Sequence, residues 1–317
     1  MKGLELAERY WEEVGRPAFE KGCPEVLERA GVGLVGEGSE CFGFDDQYSR
    51  DHDWGPGFCV WMTDEDYKEL GERAAAVYAA LPEEFLGFRR LSAGEMSSGR
   101  VGVMSSGSFY ARYTGFDRVP QSMFEWRCAP EKGLAVVTNG KVFVDNCVQF
   151  SAVRKGLLTY YPEDLRKKKL AMRCALAAQS GQYNFSRCAR RGEDVAAFLA
   201  LAEFVDNVQA IAFLLNRRYR PFYKWAHRAL SDLPVLGAAL APHIRTLTTG
   251  VYPDDPSRLL DVFEKVDLIE SISQSVIKEL KAEGLSPADS DFLLHHGEAI
   301  QYSIEDPQLR SLHLMAE

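Results

Sequence analysis

Apolar residues recur at helical spacing over residues 3–14 and 17–29, and Pro17 stands where the start of a helix tolerates a proline. A compact apolar run at 32–35 then reads as a short buried strand, and a second extended stretch is predicted at about 53–62. Thr63 followed by Asp64, Glu65 and Asp66 has the chemistry of a helix N-terminus, a hydroxyl to cap the first turn and acids to face its dipole. A helix is therefore expected from there to about residue 80. Residues 101–104, 135–137 and 142–144 read as further strands, the last two as a hairpin turning through Thr138, Asn139 and Gly140. From Pro162 onward the helical period dominates, with helices expected at 162–180, 192–216, 221–231, 235–248, 257–283 and 286–300. The predicted fold is α+β: a small mixed sheet with its helices over residues 1–155, then an α-helical bundle over 156–317. The basic helices of the bundle are expected to face the acids of the first domain.

Composition bounds this picture without changing it. A chain of 317 residues with 46% hydrophobic positions is too long for one comfortable core and apolar enough for two. No run approaches the eighteen or so apolar residues of a membrane span, and the start MKGLELAERYWEE lacks the regions of a signal peptide, so a cytoplasmic location with no membrane partner is expected. The 7 cysteines are scattered, with no C-x-x-C, which predicts neither a disulfide framework nor a zinc site. Most should be buried hydrophobes, while Cys41 is expected to be open to alkylating reagents.

Charge sharpens the picture. The net charge is −9, yet residues 151–230 hold 15 Lys and Arg against 6 Asp and Glu, a local excess that predicts anion binding there. Nucleoside triphosphate or nucleic acid would fit, or the basic side chains pair with the acidic first domain. RNA is the disfavoured partner, because the sequence pI is about 5.3 and no aromatic-interleaved basic motif is present.

The chemistry concentrates in residues 36–54, GEGSECFGFDDQYSRDHDW. Glycines 36 and 38 end the apolar run and let the backbone turn tightly, so that its N–H groups and the Ser39 hydroxyl can meet an anion. Asp51 and Asp53 alternate, which on an extended segment places two carboxylates on one face, an arrangement that suits a hard cation such as Mg²⁺. The alternative is a solvated acidic turn. The order strand, Gly38, Ser39, Gly43, a turn containing Ser49, then Asp51-x-Asp53 opening a second strand resembles the signature of the polymerase-β-type nucleotidyltransferase superfamily. With the segments 140–146 (GKVFVDN), 160–170 (YYPEDLRKKKL), 182–184 and 219–225 (YRPFYKW), the chain resembles, over nearly its whole length, a bacterial family of nucleotidyltransferase-like proteins with a helical C-terminal half.

The resemblance implies a metal-dependent transfer of a nucleoside monophosphate from a nucleoside triphosphate such as ATP to a hydroxyl acceptor whose identity does not follow. Asp51 and Asp53 would be catalytic and hold Mg²⁺ or Mn²⁺, and Gly38 and Ser39 would anchor the phosphates, helped by Lys168 or Lys169. A third carboxylate is usual in the superfamily, and the expected strand 101–104 (VGVM) holds none. Glu125, read in a short extended segment beside Trp126 with apolar neighbours raising its pKa, is the preferred substitute, and Asp145 the weaker one. The other reading is a catalytically inactive nucleotidyltransferase-fold protein that binds nucleotide or a macromolecular partner in a regulatory role.

Remaining features are assigned to structure. His52 and Asp53 form an HD pair with no upstream histidine, and His295 and His296 read as an exposed helix end. Tyr219, Phe222, Tyr223 and Trp225 read as packing rather than base stacking, and Asn207 and Asn216 as core hydrogen-bonding groups.

Overall fold

The computed structural model describes residues 1–51, 54–91, 99–249 and 261–316, and of Asp51 the backbone alone. The chain is α+β and divides into two compact units, Met1–Tyr160 and Tyr161–Glu317.

In the first unit, α1 (Gly3–Tyr10) runs through a π-helical turn, Trp11–Gly15, into α2 (Arg16–Gly22), and α3 (Glu25–Arg29) follows Pro24. Strand β1 (Gly31–Leu34) is followed by two 3-10 turns, Ser39–Phe42 and Gln47–Asp51, before β2 (Cys59–Met62) and α4 (Asp64–Ala79). A two-stranded ribbon, β3 (Glu84–Phe85) with β4 (Phe88–Arg89), precedes β5 (Gly102–Ser105) and α5 (Ser106–Thr114). Then come α6 (Met123–Cys128), α7 (Glu131–Thr138), β6 (Lys141–Asp145) and α8 (Val148–Leu158).

The main sheet has the order β5-β2-β1-β6, with β1 antiparallel to both neighbours and β5 parallel to β2. β1 and β2 are central and buried at every position, which is why both read as continuous apolar runs. Val32, Val60 and Met62 face one layer, built on Tyr10, Trp11, Phe19, Phe58 and Tyr78. On the other face Trp61 stacks on Phe150 of α8 at 4.1 Å and meets the edge of Phe109 of α5 at 5.4 Å. Each such ring adds ~1.5–3 kcal/mol by burial, so the sheet is held from both sides.

Local chemistry places α4 as expected: the Thr63 hydroxyl accepts from the Asp66 amide at 3.0 Å. Two expected strands are corrected. Residues 131–138 form α7 rather than half of a hairpin, because Arg154 of α8 donates to the carbonyls of Val137, Thr138 and Asn139 and caps the helix from outside the local sequence. β6 pairs with β1 instead. The extended stretch expected at 53–62 is paired only from Cys59, and Asp51 closes a 3-10 turn. Asp53 lies outside the described residues.

The second unit is helical. α9 (Glu163–Ala177) continues through a π-helical stretch, Ala178–Phe185, into α10 (Ser186–Arg190), and α11 (Asp194–Leu215) packs against that rod. α12 (Tyr223–Leu230), α13 (Gly237–Thr249), α14 (Val262–Ala282), α15 (Leu293–Tyr302) and α16 (Pro307–Ser311) complete it. α11 is long and apolar enough to cross a membrane by length and composition, contrary to the sequence expectation, but 67% of its most apolar window is buried within the protein, as in a core helix. Gln182, in the π-helical stretch, donates to Glu270 and to the Asp291 carbonyl and accepts from the Leu293 amide, satisfying the start of α15.

Candidate functional site

The loop after β1 is built by contacts from distant parts of the first unit. The Asn139 side chain accepts from the Gly36 amide at 3.2 Å and donates to the Gly36 carbonyl at 2.8 Å, and the Gly140 amide donates to the Cys41 carbonyl. Gly38 then passes under an ion pair, buried Glu40 with half-buried Arg100 at 2.9 Å. A Cβ on Gly38 would stand 2.0 Å from Glu40 Oε1 and 2.3 Å from Arg100 Nη2, so a larger residue there would displace the pair. Gly43 ends the turn at φ +74°.

Beyond this frame, the Gly38 amide faces the Cys41 sulfur, whereas the amides of Glu37 and Ser39 donate to no acceptor among the described residues, and the Ser39 hydroxyl is likewise without a hydrogen bond. Ser39 is half-buried and Gly38 buried. The antiparallel register sets Cys59 of β2 opposite Gly33 of β1, so the chain arriving from Asp51 enters the sheet at the end where the loop leaves it.

The neighbouring acids hold structure. Asp45 is buried, accepts from the Gly3 amide at 2.8 Å and from the Trp54 indole at 3.2 Å, and sits 3.6 Å from the Lys2 ammonium, thereby capping α1 across the fold. Asp46 accepts from the amides of Tyr48 and Ser49 and from the Ser49 hydroxyl, which fixes the turn that ends at Asp51. Arg50 lies over the Trp54 ring at 5.0 Å.

Several expected site residues are placed elsewhere. Glu125 is on helix α6, not in an extended segment, and forms a two-pronged pair with Arg118 at 2.8 and 2.9 Å while accepting from the Gln121 amide. The Arg118 guanidinium, followed by that amide, lowers the carboxyl to about 2, the reverse of the raised value a base near neutral pH requires. Asp145 pairs across from Gly31 and accepts from the Ser151 hydroxyl, at the end of β1 away from the Gly38 loop. Lys168 and Lys169 are buried in the second unit. The Lys168 ammonium donates to Gln301 Oε1 at 2.8 Å and to the carbonyls of His313 and Leu314 at 2.9 and 3.0 Å, which occupies all three of its donors. Lys169 lies over the Tyr161 ring at 4.9 Å. Arg166 of the same run, also buried, grips Glu163.

Cys41 is buried rather than open, and burial pushes its thiol well above the ordinary range. His296 is also buried, its ring bonded to Ser286 and to the Ser290 carbonyl, whereas His295 is exposed. Asn207 bridges Arg173 and the Glu203 carbonyl, and Asn216 ties α11 to Val235, as core amides do.

The Glu125 pairing has a pH signature. A carboxylate whose folded pKa is depressed contributes stability above its unfolded pKa and loses it as pH falls toward the folded value. The stability gap between wild type and Glu125→Gln is therefore expected to be constant from pH 7 to about 5 and to close between about 4.5 and 2, in urea melts at each pH. A gap unchanged at pH 2.5 would contradict the pairing.

A family described as a domain of unknown function (DUF4037) matches residues 126–226. That span crosses from the first unit into the second and contains the segments 140–146, 160–170, 182–184 and 219–225, whereas residues 36–54 lie outside it. No curated protein and no solved structure matches the chain. Among the described residues no group of three or more His, Cys, Asp or Glu is arranged to hold a metal ion; the Asp51 side chain and Asp53 are not among them.

Residues that sequence reasoning missed stand beside the loop. Arg100 pairs with Glu40 beside Gly38 from sixty positions away, and Arg112 and Tyr113 approach from α5. Burial pushes the Tyr113 phenol up to about 12, and the charged groups acting on it include, after burial, Arg112, Glu37, Cys59 and Arg100. Only the interleaved basic and aromatic residues of α5 signal this in the sequence, and they do not distinguish a site from a solvated helix face.

Proposed function

We propose that the chain is a metal-dependent nucleotidyltransferase that moves a nucleoside monophosphate from a nucleoside triphosphate to a hydroxyl acceptor, with the loop 36–44 as its phosphate anchor. The observation that carries this reading is the free Ser39 hydroxyl beside the undonated amides of Glu37 and Ser39, at the end of the sheet where the Asp51 segment enters. Amides and a hydroxyl offered together suit phosphate oxygens. In the transfer the acceptor oxygen bonds to the α-phosphorus, the bond from that phosphorus to the bridging oxygen breaks, and pyrophosphate leaves while the acceptor proton passes to solvent or a base. The loop holds the phosphates in position for this in-line exchange. Mg²⁺ or Mn²⁺ held by Asp51 and Asp53 would supply neutralisation of the triphosphate charge.

A second reading, a nucleotide-binding regulatory protein without transfer, is favoured by the position of the two substitute acids. Glu125 is committed to Arg118 and Asp145 belongs to the far end of β1.

Both readings require the acids for Mg²⁺-dependent binding. Asp51→Asn and Asp53→Asn are each expected to weaken Mg-ATP binding about tenfold or more in calorimetric titration with melting unchanged, since relieving repulsion between acids seldom costs stability. Unchanged affinity in both variants would make the pair a surface turn. Pyrophosphate release with labelled nucleoside triphosphates and Mg²⁺ separates transferase from binder.

A further inference from the structure

We propose that the cavity between α4, β5 and α5 takes the base of the bound nucleotide, with its phosphates running past Arg112 toward Gly38 and Ser39. The proposal rests on the nucleotide reading above and adds where the nucleoside sits and which cation meets its phosphates.

The cavity of about 350 Å³ lies wholly within the first unit and falls in the ~300–1,000 Å³ range of small-ligand sites. Among the described residues β5 is an edge strand with no further strand on that side, and α4 turns the small side chains of Ala75 and Ala79 toward the cavity. Val101, Val103 and Phe109 give it apolar walls, against which a planar heterocycle packs well.

Arg112 makes the site more than an apolar groove. It is exposed on the cavity's rim, and among the described residues no carboxylate pairs with it. Its Nη1 donates to the Gly99 carbonyl at 3.3 Å, and its guanidinium lies over the Tyr113 ring at 5.2 Å, which holds it at the rim. An oriented guanidinium without a counter-charge, beside an apolar cavity, selects an organic anion over a neutral solute.

Direction follows from the chain. Gly99, which Arg112 touches, precedes Arg100, and Arg100 lies against Gly38. Cavity, Arg112, Arg100 and the Ser39 loop thus form one continuous track from an apolar end to an anion-binding end. A nucleoside triphosphate has that polarity along its length. Lys168 and Lys169, the cations expected from sequence, are buried inside the second unit.

The test uses the full-length chain and calorimetric titration with Mg²⁺ present. ATP, GTP, CTP and UTP are titrated first, then the tightest of them, its nucleoside and inorganic tripolyphosphate are compared across variants. Ala79→Leu, with Ala75→Leu as an independent second variant, fills the cavity from an exposed helix position. Each is expected to weaken triphosphate and nucleoside about tenfold or more while leaving tripolyphosphate within about twofold. Arg112→Gln is expected to do the converse, weakening triphosphate and tripolyphosphate about tenfold with the nucleoside nearly unchanged. Triphosphate affinity unchanged in both alanine variants overturns the pocket and leaves the nucleotide reading standing. A wild-type chain that binds none of the four nucleotides overturns both.

Discussion

Lys168→Glu is expected to unfold the second unit rather than to weaken a ligand. The wild-type ammonium is fully buried and donates to one side-chain oxygen and two backbone carbonyls. A carboxylate there would face three acceptors, offering no donor and burying a charge among like partial charges. Breaking a buried ionic arrangement costs about 3–5 kcal/mol, and inverting its sign should exceed that, a large fraction of a domain's stability. Lys168→Met separates the effects, because it removes the charge and takes the donor from the Leu314 carbonyl and Gln301 Oε1, while the His313 carbonyl still accepts from the Ala316 amide, at about 1–3 kcal/mol for each group left unsatisfied. Helical circular dichroism at 25 °C and urea midpoints measure both. A Lys168→Glu protein with native helicity and midpoint that had lost only triphosphate affinity would instead restore the expectation that this run faces phosphates.

That contrast marks where sequence reasoning stops. The Thr63 cap with its acids was legible because an N-terminus is specified within one turn, and β1 because a central strand is apolar on both faces. The tight turn after β1 was legible in its glycines. The run at 166–169 was not, since four basic residues in a helix look the same whether they meet solvent or reach inward to partners more than a hundred positions away. Glu125 was misread for a related reason. Its neighbour Trp126 suggested an apolar surrounding, but the nearest charge is Arg118, brought round by the turn before α6. The apolar run in α7 fits strand or helix equally, and the deciding cap is the side chain of Arg154 on α8. In each case the local pattern was compatible with two environments, and a contact from outside the element itself chose between them.

The same kind of contact between distant elements makes Gly140→Ala a strongly damaging change in the first unit. Gly140 has φ +65°, where an alanine costs about 1–2 kcal/mol on backbone grounds alone. It also sits where β6 closes on β1, and an added Cβ would stand 2.0 Å from the Leu34 carbonyl oxygen and 3.0 Å from Val35 Cα. Both obstacles are backbone, so no side chain can swing aside; the end of β1 has to move, and with it the Gly140 bond to Cys41 and the Asn139 clasp on Gly36. Gly115→Ala supplies the control. Its φ is +82°, yet nothing lies within 4 Å of the added atom, so it carries the conformational cost without the collision. Gly115→Ala is expected to lower stability by about 1–2 kcal/mol and Gly140→Ala by about twice that or more, in urea melts followed by tryptophan fluorescence. Equal losses in the two variants would mean that β1 accommodates the methyl group freely. The 36–44 loop would then not be held by the β6 entry as the Asn139, Gly140 and Cys41 contacts require.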